Sequence, residues 1–161
     1  MIAIPQSLAR LQFLARVATK EGTHLQSTDQ RLFAERFTEL RARSLDDDPD
    51  LAERVEAFVG RFGRLQDTLA DKLLPVLLSA LGEKSGAQLD NLDRAERLGF
   101  ITATESWLAM RQPRNQMVHE YIEDPAILAD ALQAGHEFVP QLIRAAQVMT
   151  DEVKHRGWSR S

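Results

Sequence analysis

Apolar residues recur at steps of three and four along most of this chain, and that spacing leaves little but helix open to it. The longest run is Leu51, Val55, Phe58, Phe62, Leu65, Leu69, Leu73, Val76 and Ala80. Another is Leu128, Leu132, Gly135, Val139, Leu142, Ala146, Met149 and Val153. Residues so spaced share one face of a 3.6-residue helix, whereas a half-buried strand alternates every second residue. Composition agrees. Leu (22) and Ala (20) outweigh Val, Ile and Thr (22 together), and β-branched side chains lose rotamer freedom in a helix. The length of 161 residues favours one domain.

The punctuation divides the chain into helices. Leu8, Leu11, Ala15 and Ala18 form a stripe that Gly22 is expected to end. Ser27-Thr28-Asp29-Gln30 reads as a capping box opening a helix with Leu32, Phe33, Phe37 and Leu40. Residues 1–45 therefore read as a helical hairpin, loosely attached because the acidic break at Asp46–Asp50 follows it. Asp48-Pro49 and Asp124-Pro125 each pair an N-cap with a proline at the first helical position. The helix from about Asp50 to Leu81 should be ~48 Å long, kinked near residue 71 by Pro75. Asn91 to Leu98 reads as a short helix ended by Gly99. Thr102-Ala103-Thr104-Glu105 reads as a second capping box. The expected fold is all-α: an up-and-down four-helix bundle over residues 50–154 with extra N-terminal helices, in one domain spanning 1–161.

Charge and composition narrow the chemistry. Without Cys there is neither a disulfide scaffold nor a thiolate metal site. The net charge of −4 argues against a broadly basic nucleic-acid surface but leaves a local one open. The cations are 16 Arg and 4 Lys, and arginine's planar fork suits phosphate. Glycine-rich phosphate loops and His pairs at metal-ligand spacing are missing, so no metal or cofactor is expected. No segment reads as a membrane span or a targeting peptide, and a cytoplasmic location is the default. Arg61, Arg64, Arg94 and Arg97 read as solvated-face charges, and His24, His136 and His155 as surface or boundary residues without a nameable partner. Trp107 reads as core or dimer interface.

One segment concentrates reactive side chains: Arg111-Gln112-Pro113-Arg114-Asn115-Gln116-Met117-Val118-His119-Glu120-Tyr121. Arg111, Asn115 and His119 share a helical stripe, and Arg114 and Tyr121 a neighbouring one. Arg114 and His119 lie about 140° apart around an ideal helix. Pro113 predicts a disturbance at Ala109, displacing Arg114 from ideal geometry. A histidine can serve as general acid or base, and an arginine can neutralise charge on phosphoryl oxygens. RNA carries its own nucleophile, the 2′-hydroxyl, so this set suffices for cleavage without metal.

Arg114-Asn115 followed by His119 and Tyr121 resembles the R-x4-H-x-Y signature of the HEPN superfamily, particularly HepT-like toxins. Glu120, Trp107 upstream and the Asp124-Pro125 helix start strengthen the likeness, which covers roughly Asp50 to Val153. The resemblance implies a two-fold homodimer with a metal-independent ribonuclease site in the shared cleft. In it Arg114 would stabilise the scissile phosphate, His119 would act as acid and base, and Asn115 would orient the site or help bind RNA. Two-fold pairing would also concentrate Arg111 of each subunit in that cleft, as a substrate-binding residue. The resemblance also implies a toxin–antitoxin pair with a minimal nucleotidyltransferase that adds AMP to Tyr121. Other relatives imply an alternative: a non-catalytic module that partners a nucleotidyltransferase and holds its nucleotide or substrate.

Overall fold

The computed structural model describes residues 5–120 and 123–158, and among these there is helix but no strand. No helix there is long and apolar enough to cross a membrane. Helix α1 (Pro5–Leu32) runs without interruption through Gly22 and through Ser27–Gln30. Neither signal acts as predicted. Gly22 faces the last helix, α8 (Pro125–His155), where a methyl at its Cα would lie 3.7 Å from Ile143 Cδ1. Thr28 and Asp29 are buried and turned to partners on other helices.

The loosely attached hairpin is thereby corrected. Leu11, Leu14, Ala18, Leu25 and Leu32 of α1 are buried in one apolar core that extends to Val153. α1 packs on α8 and on α3 (Pro49–Asp67). The connection after it is also tied down. Arg41 in α2 (Glu39–Arg43) donates from Nη1 to the carbonyls of Leu32 at 2.6 Å and Glu35 at 2.8 Å. That satisfies acceptors left over at the end of α1. A 3-10 turn (Ser44–Asp47) buries Leu45.

Both Asp-Pro starts behave as expected. Asp48 accepts from the amide of Leu51 at 3.1 Å and opens α3 (Pro49–Asp67). Asp124 accepts from Ala126 at 3.0 Å and Ile127 at 3.1 Å, and opens α8 (Pro125–His155). The disturbance due to Pro75 takes a particular form. A π-helical turn (Thr68–Leu73), in which the amide of Leu74 bonds to the carbonyl of Leu69, separates α3 from α4 (Leu74–Ala80). The wider turn relieves the crowding a proline imposes on the carbonyl four residues earlier.

Helix α5 (Gln88–Leu98) ends at Gly99, whose φ of 83° is left-handed. Asn91 closes the loop before it through both the amide and the carbonyl of Gly86. Helix α6 (Thr104–Ala109) is capped from a distance: the Glu96 carboxylate accepts from the Thr104 amide at 2.7 Å, and the N-cap residue Ala103 has no side chain to offer. At Met110 the path breaks, and α7 (Arg111–His119) begins with Pro113 in its first turn. The interruption lies one residue past Ala109, where Pro113 predicts it. α7 lies against α8 and α3.

Candidate functional site

Met110, Pro113 and Met117, spaced by three and four, are the buried residues along α7 and its approach. They press the helix onto the core and leave Arg111, Asn115, Val118 and His119 exposed. The closest approach is made possible by a glycine on α8. A Cβ at Gly135 would lie 2.5 Å from Met117 Cε and 3.4 Å from Phe58 Cε1. With no side chain there, Met117 seats against the backbone of α8 and fixes how near the two helices come.

Arg114 sits at the border of this stripe and turns towards α3. A Cβ placed on Gly63 would be 3.1 Å from Nε, 3.1 Å from Nη2 and 3.2 Å from Cζ of Arg114. Near-equal distances to all three atoms mean that the guanidinium lies face-on over that glycine. Its end is held by Asp67: Nη1 donates to Oδ1 at 2.6 Å and Nη2 to Oδ2 at 2.9 Å. Nη1 also donates to Gln66 Oε1 at 3.1 Å. The bond from Asp67 raises the pKa of Arg114 above its ordinary value despite partial burial, with a further contribution from the charges of Asp67 and Asp71.

Arg111 is engaged less directly. Its Nη2 donates to Gln88 Oε1 at 2.6 Å, and Gln88 Nε2 donates to Asp71 Oδ1 at 2.5 Å. Both motif arginines therefore connect to carboxylates four residues apart, Asp67 and Asp71, at the entry to the π turn and within it. Asn115 is exposed.

His119 is exposed at the last residue of α7 and lines a groove of about 480 Å³ with Glu56, Val59, Gly60, Met117, Val118 and Glu123. Arg114 thus engages α3 at residues 63–67, and His119 lines a groove that residues 56, 59 and 60 of α3 also line, with no hydrogen bond between the two side chains. Tyr121 lies outside the described residues.

Of the arginines read as solvated-face charges, Arg64 and Arg97 are exposed while Arg61 is not a free surface charge. Arg61 reaches α1, where it bonds the Thr28 hydroxyl and, at 3.3 Å, the carbonyl of His24. Arg97 pairs with Glu83 at 3.6 Å. Trp107 is buried in the core.

Sequence reasoning misses Gly63, Gln66 and Asp67, because the partner of Arg114 is 47 residues away. The one signal for it is the spacing of Asp67 and Asp71 on the polar side of a strongly apolar helix. It also misses the partners of His136, whose Nδ1 is 2.7 Å from Asp29 Oδ1 and whose ring stacks on Phe33 with centroids 4.3 Å apart.

Among the described residues no three His, Asp or Glu side chains gather where a metal ion could be held. No protein-family model, curated protein or solved structure matches the chain.

Proposed function

We propose that the chain is a HEPN-type RNA endonuclease that works without metal, as the toxin of a pair with a minimal nucleotidyltransferase. The observation that carries this reading is that Arg114 of α7 is bonded to α3 while His119 of α7 lines a groove that the preceding stretch of α3 also lines. The accompanying architecture is an up-and-down bundle, supported by the packing of α1 on α8 and α3 and of α7 on the same two helices. Two-fold pairing would bring two copies of each side chain to one cleft, in keeping with a local basic site on an acidic chain.

In the reaction the RNA 2′-hydroxyl attacks the adjacent phosphorus and the bond to the 5′-oxygen breaks, leaving a 2′,3′-cyclic phosphate. Neutral His119 takes the proton from the 2′-hydroxyl, and a protonated His119 gives one to the departing 5′-oxygen. Arg114 offsets the charge that grows on the phosphoryl oxygens. Arg111 and Asn115 would contact the RNA, and Tyr121 would accept AMP. The test is cleavage of RNA by the purified chain in chelator. His119→Ala should lower the rate by about a hundredfold or more, and the products should end in cyclic phosphate. Unchanged cleavage by His119→Ala would reject the assignment.

A second reading is favoured by the groove at His119. Its described charged lining is Glu56 and Glu123, which suits a partner protein better than a phosphate chain. In that case the chain is a non-catalytic module that binds a nucleotidyltransferase. Copurification with that enzyme, together with no RNA cleavage by wild type, would select it.

A further inference from the structure

Arginine has five N–H donors on a planar group, and those of Arg114 are used unequally. Nη1 gives to Asp67 and Gln66, and one N–H of Nη2 gives to the other oxygen of Asp67. One face of the plane is covered by Gly63. The Nε–H and the second N–H of Nη2 have no hydrogen-bond partner among the described residues. These two donors share an edge, and an arginine edge is the shape that takes two oxygens of a phosphate at once. The side chain remains 32% exposed, so solvent reaches it.

We propose that Asp67 is a positioning residue that holds the terminal fork of Arg114 so that its Nε–Nη2 edge meets a phosphodiester. This rests on the RNA reading above. Gly63 completes the device. It lets the guanidinium lie flat on α3, and a methyl there would force the contact at 3.1 Å to give way. An arginine fixed before the anion arrives has less rotamer freedom left to lose on binding, which is how preorganised sites gain affinity and rate. Asp67 also lowers the net charge that the arginine offers, so recognition here depends on donor geometry more than on bulk attraction. That fits a chain whose formal charge is −4.

The test uses the full chain and a 2′-O-methyl RNA oligonucleotide, which binds without being cut. The Arg114 Nε–H and Nη–H resonances are assigned by their loss in Arg114→Lys. Asp67→Asn, Asp67→Glu and Gly63→Ala are compared with wild type after circular dichroism confirms that each is folded. In wild type the Nη–H signals held by Asp67 should exchange slowly, and the open Nε–H should shift on adding the oligonucleotide. Asp67→Asn should lose that protection and bind about tenfold more weakly, Gly63→Ala should weaken binding as well, and Asp67→Glu should recover most of the affinity. Tighter binding or faster cleavage by Asp67→Asn would overturn the proposal, since Asp67 would then compete with phosphate for Arg114. An unchanged signal and affinity in Asp67→Asn would overturn it too. In both cases RNA binding survives. If Asp67→Asn loses the protected Nη–H signals but the oligonucleotide never shifts the Nε–H in wild type, the RNA reading and this proposal fall together.

Discussion

His119 and His136 sit on adjacent helices in opposite circumstances. His136 is clamped between α8 and α1, with its Nδ1 on Asp29 and its ring on Phe33, which in turn meets Phe58 edge-on at 5.1 Å. The polar groups around it are satisfied within the protein: Thr28 by Arg61, and the Phe37 amide by Gln133 at 3.1 Å. His119 is exposed and lines an open groove that Glu56 and Glu123 also line. The imidazole is the same in each place. A carboxylate and an aromatic ring make one of them a fastener between helices, while a groove leaves the other available to a ligand.

The largest test of that contrast is at the packing beneath His136. Phe58 is fully buried and touches Phe33, Phe62 and the Gly135 crossing. Phe58→Ala should cost about 3–5 kcal/mol in urea unfolding, and a loss below about 1 kcal/mol would mean this end of the core is looser than its packing implies. Next come the histidines themselves. His136→Ala strands the buried Asp29 carboxylate and should cost about 1–3 kcal/mol. His119→Ala should stay within about 0.5 kcal/mol of wild type. Equal losses would erase the distinction between fastener and reagent.

The smallest effect is electrostatic. Burial raises the Asp29 pKa above its ordinary value of 3.8, outweighing the hydrogen bond and charge of His136 that pull it down. A carboxyl raised in the fold favours folding while it is protonated. Its contribution is complete below 3.8 and is lost as pH climbs through the higher folded value. Wild type should therefore gain on Asp29→Asn in urea midpoint as pH is lowered through the carboxylate range. A flat difference, or one of opposite slope, would show that desolvation does not dominate there.

Helix and its local punctuation were legible wherever the signal was local. Asp48 and Asp124 cap the residues beside them, and Pro113 breaks the path at Met110. Signals of the same chemical type failed where the side chains serve distant helices. Thr28 and Asp29 look like part of a cap and instead face Arg61 and His136. Thr102–Glu105 looks like a capping box, yet the amide of Thr104 is taken by Glu96 from the preceding helix. Gly22 looks like a stop and instead sits within α1 against α8, where even a methyl would make only ordinary contact with Ile143. The candidate site followed the same division. Arg114 and His119 stand out within one short segment, but the residues that aim Arg114 lie on another helix, where periodicity reports only which face is apolar.

The π turn at Thr68–Leu73 has a consequence in chain length. A single π turn holds one residue more than an α-helix needs to join the same two flanks. The helix from Pro49 to Ala80 therefore carries a one-residue insertion that it has absorbed without rotating either apolar face away from the core. Shortening this stretch by one residue is the length change that α-helical geometry accommodates there, and Asp71, within the turn, is the side chain whose aim would move.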